Sequence, residues 1–451
     1  MPESTRRRSR FFFELVAADG AWETDVPLPV LRSVQLAHCA RGGTVNTARS
    51  IDSNGRLYTP GYQTPRLTFV RDPVSGLTVP GWLVEPARTN SIVQSQIASG
   101  WTKNSGTMTI TQGAADGPDG ISGSAVKIVE GTVVDGSNVI FQTFTATNDT
   151  LQGVSVCLKA AERTWAILRT RGKDNVNVQS WLNLATGAVG HQGVIVGGGA
   201  ESTRHVLRVE SLVDDWYRIS TPWDPLSGGT APFLGFGPSS ADHISGYTGD
   251  GTSGIYAYGA QLEIDQPYAT SYVATGAAAV TRSKDTFYVT YRGPFAEQTI
   301  WIDMIEGTPG SRFPTASRVL EIGDAFAGGG PSISVQRYPG VGTANYSCLH
   351  SNGVVGAVSS ASPGQTINAG DRVRIRIVID GTGAVTTAAQ VNSAAEQVGT
   401  PSAGVAFVTP ANQPRLTLGA DYSGGNNGGA ATYLAVRIAG GSKSAAFMQA
   451  A

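Results

Sequence analysis

Residues 255–282 read IYAYGAQLEIDQPYATSYVATGAAAVTR, and the alternation in this stretch decides the fold. Tyr256, Tyr258, Ala260, Leu262 and Ile264 fall on one face of an extended chain, with Gln261, Glu263 and Asp265 on the other. A period of two with one apolar face predicts a half-buried strand. The second half is rich in Gly, Ala and Thr and predicts a segment that leaves the sheet and carries the chain onward. The stretch closes one β-domain and launches the next.

Upstream, residues 96–282 repeat the signal in SAVKIVE (124–130), NVIFQTFTA (138–146), GVSVCLKAA (153–161), TWAILRTRG (164–172), QSWLNL (179–184), RHVLRVESL (204–212), WYRISTPW (216–223) and APFLGFGP (231–238). Turn signals such as Asn148-Asp149, Thr186-Gly187 and Asp214-Asp215 separate them. Short strands at this spacing predict an antiparallel β-sandwich of jelly-roll type. Downstream, residues 283–451 predict a second antiparallel sandwich, with strands such as QTIWIDMI, SRVLEIGD, DRVRIRIVID and TYLAVRIAG. There Arg372, Arg374 and Arg376 alternate with Val373, Ile375 and Ile377, so one face of that strand is wet or touches a partner. Residues 31–95 are turn-rich (Asn54-Gly55, Pro60-Gly61, Asp72-Pro73) and predict a segment that wraps along a neighbouring domain or subunit. Residues 1–30 form a basic and aromatic arm: Arg6, Arg7, Arg8 and Arg10 run into Phe11, Phe12 and Phe13. Such an arm is a solvated basic face, or a docking arm that orders on a partner.

Composition agrees with an all-β reading. Glycine (57) and proline (23) are abundant among 451 residues while charged residues make up only 15%, which suits short strands joined by many turns. A net charge of −1 argues against nucleic-acid binding. No stretch of about 18 apolar residues predicts a membrane span. The basic start lacks the apolar run of a signal peptide, because Glu14 interrupts it, so synthesis in a cytoplasm without general export is expected. Cys39, Cys157 and Cys348 are far apart, and no Cys/His cluster has zinc-site spacing.

For chemistry, the acids offer little. Glycoside hydrolysis needs two carboxylates facing across a cleft. Asp214 and Asp215 are adjacent, would point to opposite faces of a strand, and read as the turn before Trp216. Glu263 and Asp265 read as solvated. Arg204 and His205 diverge likewise, and no nucleophile elbow, zincin helix or P-loop is present. No catalytic residue is assigned. Sugar binding needs an aromatic platform beside planar polar groups. Gln179, Trp181 and Asn183 lie two apart and would share a strand face, and Trp223 is flanked by polar and turn residues; these form the candidate glycan site, with burial in the core as the alternative. Trp165 and Trp216, in apolar strands, read as core. No cofactor is expected. TGDGTSG (248–254), with Asp250 and the nearby Asp242, reads as a plain turn, with a structural calcium ion on loop carboxylates as the alternative.

Three stretches together resemble tailed-phage virion structural proteins. WLVEPARTN (82–90), after RSIDSNGRLYTPGYQTPRLTFVRDPVSG (49–76), resembles their lead-in segment. GVSVCLKAAERTWAILR (153–169) with VDDWYRIS (213–220) resembles the body of their carbohydrate-binding-module-like domain, and GAQLEIDQPYATSYVATGAAAVTR (259–282) resembles its last strand and exit. LEIGD, VRIRIVID and RLTLGA resemble a laminin-G or concanavalin-like sandwich. The resemblance, which includes relatives in gene-transfer agents, implies a tail fibre, tail spike or head fibre. It implies a homo-oligomer, a trimer by expectation, joined to other virion proteins through its N-terminal arm and meeting host surface polysaccharide. A purely structural connector or capsid-attached fibre, and a polysaccharide depolymerase, are the alternatives.

Overall fold

The computed structural model describes residues 11–16, 38–41, 49–60, 66–133, 137–144, 152–195, 205–223, 231–264, 269–291, 295–307, 317–324, 330–338, 345–364, 366–408, 410, 414–419 and 430–441. They are strands and turns, with antiparallel pairing between the strands and one short 3-10 turn at Val213–Asp215. The all-β expectation holds. No helix among the described residues is long and apolar enough to cross a membrane.

The chain divides into two compact units, and the division does not run linearly. One comprises Thr47–Thr59 and Arg88–Arg282; the other comprises Met1–Asn46, Pro60–Ala87 and Ser283–Ala451. The expected wrapping segment, 31–95, is thus shared out. Its middle forms a hairpin, Leu67–Arg71 with Thr78–Val84, that extends a sheet of the second unit through pairing of Leu83 with Thr432. Trp82 and Val84 enter that unit's core, which is why so turn-rich a segment is ordered.

The central unit is a sandwich of two six-stranded sheets. One runs, in spatial order, Arg208–Ser211, Tyr217–Trp223, Gln152–Ala160, Gly254–Ile264, Ala125–Val129 and Thr109–Ala115. The other runs Val194–Ile195, Asn177–Asn183, Trp165–Arg171, Phe233–Ser239, Ile140–Thr143 and Thr102–Lys103. Val154, Val156, Leu158, Leu168, Leu182, Ile219 and Phe236 meet between them.

Gly254–Ile264 is central in its sheet, as its pattern predicts, but the alternation changes face part-way. A register shift against Gln152–Ala160 falls where Gly259 takes φ +65°, a conformation that favours glycine. Ile255 and Ala257 before this bulge, and Ala260 and Leu262 after it, face the sandwich core. Tyr258 packs outside instead, with Leu57, Trp216 and Tyr272. Nor are the polar partners solvated: Gln261 and Glu263 are fully buried. The segment after the strand returns over them. Thr270 donates to Glu263 from its backbone N–H (2.9 Å) and hydroxyl (2.7 Å), and Val273 N–H donates to Gln261 Oε1 (2.7 Å). Asn90 fastens this return. Its side chain donates to the carbonyls of Ala260 and Val273 and accepts from the N–H groups of Ile92 and Leu262. Arg88–Asn90 then pairs with Val280–Arg282, so the incoming and outgoing chains of the unit are hydrogen-bonded together. Asp265 lies outside the described residues.

The second unit packs a sheet ordered Gln397–Val398, Val385–Val391, Arg372–Ile379, Gln298–Glu306, Ala431–Gly440, Thr78–Val84 and Leu67–Arg71 against a seven-stranded one, His38–Arg41, Asp285–Thr290, Pro414–Leu418, Ser317–Asp324, Pro331–Tyr338, Asn345–Asn352 and Gly356–Ala361. Phe11–Val16 pairs with Ala435–Ala439 in the first of these sheets, so Phe11, Phe12 and Phe13 belong to a strand of the unit itself and not to a free arm. Thr78–Val84 pairs only with Ala431–Tyr433 on that side of the strand, which leaves the backbone of Ala435–Ala439 for Phe11–Val16. Arg6, Arg7, Arg8 and Arg10 lie outside the described residues.

The alternating face of Arg372–Ile379 is half-buried, and its arginines pair within the chain. Arg372 makes a bidentate pair with Asp303 (2.8 and 2.5 Å) and reaches Asp72 of the hairpin (2.7 Å); Arg376 pairs with Glu396 (3.0 and 2.6 Å). Burial pushes the Asp72 carboxyl up, but the Ser75 hydroxyl, the Val74 N–H and Arg372 outweigh it and hold it below the usual carboxylate range. A carboxylate depressed on folding adds stability that is present above its unfolded value and lost as pH falls through the folded one. The melting temperature of this unit is therefore expected to fall as pH drops below about 4. Asp72→Asn should flatten that fall, and an unchanged acid slope in the variant would sink the assignment.

Candidate functional site

The expected sugar platform is core. Trp181 is 1% exposed and Trp223 is fully buried. Strand alternation does put Gln179, Trp181 and Asn183 on one face of their sheet, the outer one, but that face is covered. Trp181 packs with Val139 and Ile167, and its indole N–H donates to Ile244 O (3.0 Å) in the loop that follows Phe233–Ser239. Gln179 is buried and donates to Ser137 Oγ (3.2 Å); Asn183, half-buried, accepts from the Ala185 N–H (2.9 Å) at its turn. Trp223 meets Phe144 edge to face at 5.4 Å inside the sandwich. Neither ring is free to stack on a sugar.

The loop covering Trp181 builds a different site. Ser239 Oγ donates to the carbonyls of Ala241 (2.7 Å) and Ile244 (2.5 Å), closing a tight turn. His243 sits in that turn at φ +60°, a backbone region that strains a side chain of its size. Its exposed ring stacks on His191 with centroids 4.3 Å apart and planes 16° from parallel, and meets Trp181 edge to face at 5.4 Å. Asp242 accepts from the His191 backbone N–H (2.9 Å) through Oδ1 and lies 2.9 Å from His191 Nδ1 through Oδ2. Partial burial raises the Asp242 carboxyl, and these His191 contacts more than offset it, so it stays below the usual range.

Trp165, half-exposed, lies at the same place. Gly190 shows how close: a Cβ there would come within 2.2 Å of Asp242 Oδ1 and 2.8 Å of Trp165 Cζ3. Any side chain at 190 must push the carboxylate and indole apart. Gly190→Val is expected to separate Asp242 from His191, which a changed His191 ring signal in NMR would report; an unaltered signal would sink this. The result is a patch of one indole, two stacked imidazoles and one carboxylate on the outer face of the central sandwich. Trp165 reads as core in its apolar strand, and His191 and His243 give no signal in sequence, because 51 residues of chain lie between two turns that only the fold brings together.

The other acids serve structure. Asp214 and Asp215 form the expected turn, both in the left-handed region. Asp250 Oδ1 accepts from Thr252 and Ser253 N–H groups (both 2.7 Å), and Oδ2 accepts from the Ser253 hydroxyl (2.6 Å). These bonds, the Ser253 hydroxyl foremost, pull its carboxyl far down. Of the two acids considered for calcium, Asp242 is bonded to His191 and Asp250 to Thr252 and Ser253. Fully buried Glu130 anchors the same loop: Arg163 grips it bidentately (2.7 and 2.6 Å), and the Tyr247 hydroxyl (2.7 Å) and Asp250 N–H (2.8 Å) donate to it. His205 is buried, with its ring nitrogens 2.8 Å from Thr170 Oγ1 and 3.1 Å from Ser180 Oγ. Among the described residues, no group of three or more His, Cys, Asp or Glu side chains is placed to hold a metal ion.

No family model and no curated protein matches this chain. Among solved structures, the enzymatically active domain of tailspike protein 2 from bacteriophage CBA120 is similar with a TM-score of 0.27 and 16% identity over 36% of this chain. The similar part is 25% of that chain's length. A likeness this slight carries no argument about the site.

Proposed function

We propose that the chain is a subunit of a phage-like virion fibre or spike that contributes to host attachment by binding surface polysaccharide. One observation carries the reading: Trp165, His191, Asp242 and His243 form a partly exposed patch of ring faces and planar polar groups held in place by the sandwich. Sugar C–H faces stack on such rings while hydroxyls seek imidazole nitrogens and carboxylate oxygens. Binding without cleavage is favoured. The single carboxylate of the patch is engaged by His191, and the close pair Glu130 and Asp250 is bridged by Arg163, which contacts them at 2.6 and 3.7 Å. In this reading the subunit trimerises, and residues 1–10 supply the join to other virion proteins.

The test is binding of the purified protein to host-type cells before and after their polysaccharide is stripped, with sugar release assayed in the same tubes. Polysaccharide-dependent binding without release is expected. Release of sugar would make the protein a depolymerase, and no binding would leave a structural subunit. Trp165→Ala is expected to weaken binding about tenfold, ~1.4 kcal/mol, with cooperative unfolding retained. Undiminished binding would remove the site from the reading.

A further inference from the structure

We propose that this patch selects acidic polysaccharides, those bearing sugar carboxylates, and binds them more tightly as pH falls from 8 to 5.5. The proposal rests on the glycan reading above and names its ligand class. His191 and His243 stack ring on ring at 4.3 Å. Asp242 lies against His191, Trp181 from Asn177–Asn183 meets the His243 ring edge to face, and Trp165 comes close to Asp242 at Gly190. Of these only Asp242 carries charge. Histidine is the side chain whose charge changes between about pH 5 and 8.

Two imidazolium rings face to face would have one carboxylate, Asp242, to balance them. A ligand carboxylate at the exposed His243 ring supplies the missing anion. Binding an acidic sugar is therefore linked to uptake of about one proton, whereas a neutral sugar brings no such coupling. Exposure fits this role: the His191 side chain is 47% exposed and that of Asp242 is 29% exposed, so a ligand reaches the rings from outside. The indole of Trp165 then serves the sugar face and the imidazoles serve its acid.

The experiment is an array of bacterial capsular polysaccharides, each in native and carboxyl-reduced form, probed with the full chain at pH 5.5 and pH 8. Binders are expected among the native acidic polymers, about tenfold tighter at pH 5.5, with carboxyl reduction abolishing the pH effect. His243→Asn, which accepts the left-handed backbone but cannot be protonated, should lose the pH dependence. Binders that are neutral, or acidic binders indifferent to pH and carboxyl reduction, would overturn the acid selection and leave the glycan reading standing. An array with no binder would overturn both.

Discussion

Asn90→Ala is expected to destabilise the central unit by about 3–4 kcal/mol, more than most single polar substitutions. Asn90 is fully buried and uses its whole amide. Nδ2 donates to Ala260 O (3.1 Å) and Val273 O (2.8 Å), and Oδ1 accepts from Ile92 N–H (3.1 Å) and Leu262 N–H (3.1 Å). Alanine removes both sides of this bracket and strands buried backbone groups, each worth roughly 1–3 kcal/mol when left unmade. Three pieces of chain separate together: the incoming segment, the bulged strand Gly254–Ile264, and the returning segment over Gln261 and Glu263. Calorimetry should show one transition, that of the central unit, lowered by about 6–16 °C, at roughly 2–4 °C per kcal/mol for a unit of this size. A shift under 2 °C would mean that the bracket is dispensable.

The role of Asn90 marks what was and was not legible in the sequence. WLVEPARTN and the stretch 255–282 stand out by pattern, and they are bonded to each other, but no periodicity tells which amide joins them. Strand existence was legible because alternation is local: Arg372–Ile379 is buried at every second residue, as its sequence spells out. The face reversal at Gly259 was not, because a bulge is one residue out of step and glycine has many uses. Burial of Trp181 was hidden for a related reason. Gln179, Trp181 and Asn183 do share the outer face of their sheet, but whether an outer face is wet depends on what another loop does. Here residues 241–244 fold over it and raise His243 into the exposed position expected of the indole. Phe11–Val16 and the hairpin 67–84 escaped for want of length: each is too short to stand alone, and each pairs with a strand far along the chain.

Arg337→Met is expected to cost the second unit about 3–5 kcal/mol, and compensating changes should return most of it. Arg337 and Glu306 are both fully buried and form an ion pair. Arg337 Nε also donates to Ser317 Oγ (3.0 Å), and the Tyr346 hydroxyl donates to Glu306 Oε1 (3.0 Å). Ser317–Asp324 and Pro331–Tyr338 belong to one sheet and Gln298–Glu306 to the other, so the network ties the two faces of the sandwich. Methionine alone leaves the Glu306 carboxylate in an apolar interior without its cation, and that penalty, not the loss of attraction, dominates. The triple variant Arg337→Met, Glu306→Leu, Tyr346→Phe removes the charges and the dependent hydroxyl together and fills similar volume. Its unfolding free energy in urea should lie within about 1–2 kcal/mol of the parent, well above the single variant. If instead the triple variant is as unstable as Arg337→Met, the network contributes specific stability that apolar packing cannot replace. If the single variant loses under 1 kcal/mol, water reaches Glu306, and the pair is not the dry tie between sheets that its burial implies.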